Sequence, residues 1–259
     1  MPLSKNITPK KSLGQNFLND SNIAQKIIDS LDIQDDDHLI EIGPGTGALT
    51  QFLFDKKIKY TGIEIDQRSA DLLKEKIEES ELSNFEILNL DFKKVKLNEL
   101  INTKVKIFGN LPYYITSPII FKVFEEYKVV ESATFMVQKE VAERIVANPG
   151  KKDNGILAIA SRLYSDPKKI FDVSPTCFYP VPKVWSSVVK FDFHQKYSNQ
   201  KEIMVLVKKS FNQRRKMLSN TLKEEFRESN SKFIDEKKSL RPEVLSVEDF
   251  VELYKQINL

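Results

Sequence analysis

The segment Asn110-Leu111-Pro112-Tyr113 carries residue types that suit methylation of an aromatic amine. The lone pair of the exocyclic adenine amine is delocalised into the ring, so this nitrogen is a poor nucleophile. Two acceptors aimed at its hydrogens, the side-chain oxygen of Asn110 and the backbone oxygen of Leu111, would localise the lone pair and stabilise the charge that develops during attack on a methyl group. Pro112 stiffens the loop and has no N–H, and the ring of Tyr113 can stack on a base. Taken alone, the segment also fits a strand-ending turn with an aromatic lid.

Three further features suit a nucleoside-containing cofactor. The glycine loop Gly43–Gly47 lets the backbone approach a ligand closely, Glu64 can accept both ribose hydroxyls, and Asp91 can accept from an adenine amine. Separately, these features also fit a dinucleotide dehydrogenase loop and, at Asp91, a helix cap. Together with Glu41, the E-x-G-x-G-x-G pattern resembles the cofactor loop of class I methyltransferases more than that of dehydrogenases.

These residues follow short apolar segments that predict an α/β fold. Each lies at the end of a predicted strand, where ligands bind in open parallel sheets. Strands are predicted at 38–42, 59–63, 85–88, 105–108, 133–137, 168–173 and 187–193. Helices are predicted at 21–31, 49–55, 68–79, 117–127, 140–147 and 155–163. This alternation predicts a Rossmann-like domain with a mostly parallel seven-stranded sheet.

The chain beyond the last predicted strand shows helical patterns only, as in 217–226 and 247–257. A polar segment, 194–199, precedes them and has the composition of a linker. We therefore predict two domains: residues 1–194 form the methyltransferase domain, and residues 195–259 form a small all-helical C-terminal domain.

Composition excludes several function classes. No run of about 18 apolar residues predicts a membrane span, and the N-terminus lacks a signal-peptide pattern, so we expect a cytoplasmic protein. One cysteine, Cys177, excludes a disulfide framework and multi-cysteine metal sites, and neither His38 nor His194 has visible partner ligands, so no metal is expected. Ring-carbon methylation of pyrimidines needs a cysteine nucleophile, and Cys177 has no adjacent base.

Positive charge is clustered, although the formal net charge is only +3. Lysines gather near the N-terminus and in 92–106, and Gln213–Lys216 reads QRRK. Any one cluster is compatible with a solvated surface. Three clusters together modestly favour a phosphate-rich partner.

Seven blocks, spread over nearly the whole chain, resemble the KsgA/RsmA family of 16S rRNA adenine dimethyltransferases. They occur in the family's order. They are KKSLGQNFL (Lys10–Leu18), EIGPGTGALT (Glu41–Thr50), GIEID (Gly62–Asp66), the Asp91 position, GNLPYYITSPII (Gly109–Ile120), FYPVPKVWSSVV (Phe178–Val189) and FNQRRKMLSNTL (Phe211–Leu222).

The resemblance implies transfer of four methyl groups from S-adenosylmethionine to two adjacent adenosines near the 3′ end of 16S rRNA, in the small ribosomal subunit or its precursor. It also implies a second aromatic, Phe178, that would hold the flipped adenine against Tyr113. The predicted cofactor residues are Asn16, Leu18, Gly43, Gly45, Glu64, Ile65, Asp91, Phe92 and Asn110. The predicted RNA-binding residues are Lys10, Lys11, Lys151, Lys152, Arg214, Arg215 and Lys216. The resemblance also implies that residues 195–259 bind RNA or the ribosomal subunit. We expect a monomer.

Two departures from the family pattern stand out. Asn154-Gly155-Ile156-Leu157-Ala158 replaces a frequent Tyr-Gly-x-Leu-Ser pattern, which could alter an RNA contact, and Trp185 fills a position where we expect a polar residue. Two alternative functions stay open. An Erm-type 23S rRNA adenine dimethyltransferase shares the chemistry, but Leu111 and the FYPVPKV block favour the 16S reading. A non-catalytic ribosome-assembly factor would have a broken Asn110–Tyr113 segment or Glu64, and both are intact.

Overall fold

The computed structural model, which describes residues 7–227 and 231–258, confirms the predicted α/β fold with a mostly parallel seven-stranded sheet. In the first half of the chain the elements are β1 (Phe17–Leu18), α1 (Ser21–Asp29), β2 (His38–Ile42), β3 (Lys59–Ile63), α2 (Gln67–Glu79), β4 (Phe85–Leu88), α3 (Leu97–Leu100), β5 (Val105–Asn110) and α4 (Thr116–Glu125). In the second half they are β6 (Val130–Gln138), α5 (Lys139–Ile145), α6 (Ile156–Tyr164), β7 (Ser165–Val173), β8 (Phe178–Tyr179), β9 (Ser186–Phe193), α7 (Gln200–Phe211), α8 (Leu218–Thr221), α9 (Lys232–Lys237) and α10 (Val247–Ile257).

The sheet order is β4-β3-β2-β5-β6-β9-β7. Strands β4, β3, β2, β5 and β6 run parallel, and β9 runs antiparallel to β6. Because β3 and β5 flank β2 on opposite sides, the direction of winding reverses between β2 and β5. Ligands bind outside the carboxyl ends of strands at such a switch point, and this is where the glycine loop and the Asn110 segment begin.

Burial on both faces explains the apolar character of the central strands. Every residue of β2 is buried, including Glu41. Strands β2 and β5 also approach closely at Gly109, because a Cβ atom there would lie 2.4 Å from the backbone oxygen of Ile42. A glycine is therefore required beside the switch point. Asp20 and Asp66 cap α1 and α2 by accepting from backbone N–H groups of the first turn.

Two predicted helices are wrong, and one pairing was missed. Residues 49–55 form only a short 3-10 turn, Thr50–Leu53. Thr50, Phe52, Phe54 and Asp55 have lower helix propensities than leucine or alanine. Residues 217–226 contain only the four-residue helix α8. The missed pairing joins β1 to β8 in a separate antiparallel ladder, with Leu18 opposite Phe178.

The chain divides into two compact units, 1–142 with 168–193, and 143–167 with 194–259. The second unit begins again at His194, next to the predicted boundary, but it also takes in 143–167. The reason is that α6 packs against α7. Asn154, just before α6, is fully buried, and its Nδ2 donates to the backbone oxygens of Glu243 (2.9 Å) and Leu245 (3.0 Å). Because it is buried, Asn154 does not offer a direct RNA contact.

Across the described residues, no helix combines the length and the apolar character needed to cross a membrane.

Candidate active site at the carboxyl ends of the sheet

A cavity in the first unit gathers the predicted cofactor residues and most of the predicted catalytic residues. All nine predicted cofactor residues line it, as do Leu111, Pro112 and Tyr113; Phe178 does not. The lining also includes residues that were not among the predicted site residues: Leu13, Gly14, Phe17, Leu90, Tyr114, Ile115 and Ile119. Five stretches of chain meet here: the segment before α1, and the loops that follow β2, β3, β4 and β5.

The glycine loop has the backbone conformation that makes glycine necessary. Gly43 and Gly45 have φ values of +66° and +58°, in the left-handed region that side chains rarely adopt. A Cβ atom added to Gly43 would have no atom of a non-adjacent residue within 4 Å, whereas a Cβ atom on Gly45 would lie 3.1 Å from the ring of Phe17. The loop thus exposes its backbone to the cavity at Gly43.

The Glu64 carboxylate is held by two backbone N–H groups. Gly45 donates to Oε2 (2.9 Å) and Asp66 donates to Oε1 (2.8 Å). Burial raises the pKa of Glu64, and these two bonds partly oppose that rise. Each oxygen keeps a second acceptor position, so the fixed carboxylate suits a pair of neighbouring hydroxyls.

Glu41 is a second buried carboxyl at the cavity. Its Oε2 accepts from the hydroxyls of Thr50 (2.7 Å) and Tyr60 (2.8 Å), while no hydrogen bond to Oε1 forms within residues 7–227 and 231–258. Burial, opposed by those two bonds, raises the pKa of Glu41 to about 7. The pair Thr50–Tyr60 thus orients an acid that can carry a charge near neutral pH.

Asp91 performs the capping role and also lies at the cavity. It caps a short 3-10 turn, Phe92–Lys94, by accepting from the Lys93 N–H at 3.0 Å. Two apolar side chains of the lining, Ile65 and Leu90, are 54% and 46% exposed. Exposed apolar groups beside an acceptor suit a planar heterocycle with an amine. Leu90 was missed; an apolar residue directly after a strand and before Asp91 is the signal that could have found it.

The amide of Asn110 is fixed in one orientation. Its Nδ2 donates to the backbone oxygen of Asn16 at 2.9 Å, so Oδ1 is the atom left to accept a hydrogen bond. In the described part of the chain, neither this Oδ1 nor the backbone oxygen of Leu111 accepts any. The Leu111 side chain is buried, and its N–H donates to Met136 at 3.1 Å. Two acceptors on consecutive residues therefore stand available at the end of β5.

The two tyrosines that follow differ in their surroundings. The Tyr113 hydroxyl lies 2.7 Å from Oγ of Ser186, and burial raises the pKa of Tyr113, so its ring is anchored at the polar end. Tyr114 is 58% exposed at the cavity. A Cβ on Gly14 would lie 2.8 Å from the Tyr114 ring, which shows how closely the segment before α1 approaches this ring.

Phe178 does not reach the cavity. It is 2% exposed and belongs to the hydrophobic core, with Leu18, Met136 and Val188 among its cluster. Phe178 pairs with Leu18 in the β1–β8 ladder, and both residues belong to this core. In this conformation Phe178 does not stack against Tyr113. Cys177 carries a thiol whose pKa is raised by burial and by nearby Asp20, which does not favour a nucleophilic thiolate.

The Asp66 carboxylate binds side chains of the segment before α1. The Asp66 side chain is bound by Arg68 (2.6 Å), Gln15 (3.0 Å) and Lys10 (3.4 Å), and these contacts hold its pKa well below the usual range, Arg68 contributing most. Lys10, predicted to bind RNA, thus has a partner within the protein. Lys11 is exposed in the turn Lys11–Leu13.

The other predicted RNA-binding residues lie in the second unit. Lys151 and Lys152 are exposed in the loop before α6. Arg214 pairs with Glu243 at 3.3 Å. Arg215 and Lys216 are exposed and form no ion pair within the described residues. These two cations are therefore the best placed of the QRRK group to bind a phosphate.

Residues 6–259 match the model of the ribosomal RNA adenine dimethylase family. A relative named ribosomal RNA small subunit methyltransferase A, from Alkaliphilus metalliredigens, is 43% identical, covering 95% of this chain and 91% of its own length. One with the same name, from Chlorobium phaeobacteroides, is 40% identical, covering 97% and 94%.

Solved structures agree in fold. A dimethyladenosine transferase from Plasmodium falciparum superposes with a TM-score of 0.80 at 27% identity, covering 93% of this chain and 97% of that one. The 23S rRNA methyltransferase ErmE superposes with a TM-score of 0.74 at 23% identity, over 94% and 100%. With the family match spanning nearly every residue, this chain belongs to the ribosomal RNA adenine dimethylase family and is a methyltransferase.

Proposed function

We propose that this chain transfers methyl groups from S-adenosylmethionine to the N6 amines of two adjacent adenosines near the 3′ end of 16S rRNA, dimethylating both during small-subunit biogenesis. The observation that carries the proposal is the pair of free acceptors, Asn110 Oδ1 and the Leu111 carbonyl, beside a cavity with an anchored acid at Glu64. The reaction needs hydrogen-bond acceptors for the amine of the target adenosine, and it needs an acid that binds the ribose of the cofactor.

The cavity fits S-adenosylmethionine by the chemistry of its donors and acceptors. Glu64 would accept the two ribose hydroxyls, Asp91 would accept the adenine amine, and Ile65 would cover the base. Gly43 leaves open space where a side chain would stand, and the ionised form of Glu41 would favour a ligand that carries positive charge. The remaining assigned residues are Asn16, Leu18, Gly45, Phe92 and Asn110. When bound, the cofactor supplies an electrophilic methyl group.

The protein's own part in the reaction is to orient and polarise the target amine. Asn110 Oδ1 and the Leu111 oxygen accept its two hydrogens, which directs the nitrogen lone pair out of the ring. Pro112 and the fixed Tyr113 ring hold the base against this pair. Much of the remaining rate gain comes from alignment of the amine with the methyl group. No covalent intermediate is needed, in keeping with the unactivated Cys177.

The RNA partner would be held electrostatically. Lys11 in the first unit and Lys151, Lys152, Arg215 and Lys216 in the second are exposed cations that suit phosphate contacts. The RNA is presented by the small ribosomal subunit or its precursor. We place the protein in the cytoplasm, as a monomer, where that substrate is assembled.

The 16S assignment is preferred over 23S rRNA because relatives at about 40% identity carry a small-subunit name. The test offers unmethylated small subunits and large subunits separately to the purified protein with methyl-labelled S-adenosylmethionine. We expect label in 16S rRNA only. Label in 23S rRNA would favour the Erm-type alternative. Tight binding of small subunits without any label would favour a non-catalytic assembly factor.

A further inference from the structure

Trp185 is an exposed aromatic ring, and the residue after it, Ser186, contacts Tyr113 of the cavity. It is 51% exposed, in the loop after β8, where the side chains of Val181 and Val184 are also exposed; Tyr179, at the end of β8, is exposed as well. A run of exposed apolar side chains on a protein surface marks an interaction site. Trp185 is also the only tryptophan of the chain and occupies a position expected to be polar.

Hydrogen bonds hold the backbone of Trp185 and the side chain of its neighbour Ser186. Trp185 accepts a hydrogen bond from the Lys139 N–H at 2.9 Å, at the point where β6 ends. The next residue, Ser186, contacts the Tyr113 hydroxyl at 2.7 Å. Because adjacent Cα atoms are about 3.8 Å apart, Trp185 is attached one residue away from the group that anchors the stacking ring of the cavity.

The charges around Trp185 suit a phosphate-rich partner. Lys139 Nζ lies over the indole ring, 6.0 Å from its centroid, a cation–π geometry. Lys183, two residues before it, is exposed and forms no ion pair in the part of the chain that the structure describes. Lys139 shares Asp172 with Lys169, and Glu140 follows Lys139. The charges next to Trp185 in space or in sequence are thus Lys139, over its ring, and the exposed Lys183.

We propose that Trp185 is a second stacking platform, which binds an unpaired base flanking the adenosine in the cavity. This inference rests on the proposed RNA methylation. An indole ring offers a base a large apolar face whatever the base's identity, and Lys183 offers a charge for the neighbouring phosphate. Because the two targets are adjacent adenosines, one can stack on Trp185 while the other occupies the site beside Tyr113.

The single tryptophan makes the proposal directly observable. Intrinsic fluorescence of the full chain is titrated with a short single-stranded oligoadenylate, and in parallel with an abasic oligonucleotide of the same length. Base stacking on the indole predicts saturable quenching by oligoadenylate and little change with the abasic strand. Equal responses to both would overturn the proposal in favour of phosphate binding alone. If tryptophan fluorescence changes with protein concentration in the absence of RNA, the exposed ring mediates self-association, and the stacking proposal is wrong.

Kinetics separate this inference from the function on which it rests. Trp185→Ala should raise KM for unmethylated small subunits about tenfold, with kcat within about twofold, whereas Trp185→Phe should retain most of the affinity. Leu100→Ala, which truncates another exposed apolar residue of the same unit, should change neither constant. Unchanged KM in Trp185→Ala, beside an active wild type, would refute the stacking role alone. An inactive wild type would refute the proposed function, and the fluorescence titration would still decide the role of Trp185.

Discussion

Replacing Asn110 by alanine removes one of the two acceptors for the target amine and also one hydrogen bond to the N-terminal segment. Loss of a preorganised group that stabilises developing charge costs about a hundredfold to a thousandfold in kcat. The lost Nδ2 bond to the Asn16 carbonyl, at 2.9 Å, contributes about 1 kcal/mol. Because Asn16 lines the cofactor cavity, cofactor affinity should weaken by at most about tenfold.

Single-turnover methylation of small subunits, with calorimetry of S-adenosylmethionine binding, separates the two effects. Asn89→Ala is the matched control, since the Asn89 amide also donates to a backbone oxygen, that of Glu64, at 2.8 Å, but does not line the cavity. We expect Asn89→Ala to keep kcat within about threefold of the wild type. The reasoning is refuted if Asn110→Ala retains wild-type turnover, or if its loss of turnover is fully explained by lost cofactor binding.

Three further predictions concern charge. Glu41, whose pKa is raised by burial to about 7, binds its proton more tightly in the folded state; the stability this confers is present below pH 4.5 and is lost as pH rises to about 7. The free energy of unfolding, measured with urea, should therefore be lower at pH 8 than at pH 5, and Glu41→Gln should reduce this difference by up to about 3 kcal/mol. The same difference in both proteins would contradict the assignment. Glu64→Gln should weaken S-adenosylmethionine binding about tenfold to hundredfold by calorimetry, and equal affinity would exclude the ribose role. Neutralising Arg215 and Lys216 together should lower the salt dependence of small-subunit binding, with a log–log slope smaller by roughly 1.5; Lys201→Gln is the exposed control, and an unchanged slope would make the pair ordinary surface.

The sequence predicted the site well where a strand leads straight into a polar loop. Gly43, Glu64 and Asp91 come after strands, and Asn110 is the last residue of one. Parallel strands end at one edge of the sheet, so local pattern is enough to bring these residues together. Their placement around one cavity agrees with that reasoning, while their roles in binding and catalysis remain proposals.

Features that depend on distant pairing could not be predicted in the same way. Strands β1 and β8 have two residues each and show no periodicity, so the ladder that buries Phe178 against Leu18 leaves no local signal. For the same reason the burial of Phe178, which is 2% exposed, could not be predicted from local pattern, and its role in holding the target base stays a prediction. Residues 143–167 belong to the second unit because α6 packs against α7. Sequence spacing does not reveal this packing.

The activity proposed for this chain is dimethylation of adjacent adenosines in 16S rRNA. It is tested most directly by mass spectrometry of nuclease fragments from unmethylated small subunits after incubation with the protein and S-adenosylmethionine. We predict N6,N6-dimethyladenosine at two neighbouring positions near the 3′ end of 16S rRNA. Methylation at other positions, at a nucleobase other than adenine, or only in 23S rRNA would contradict the account.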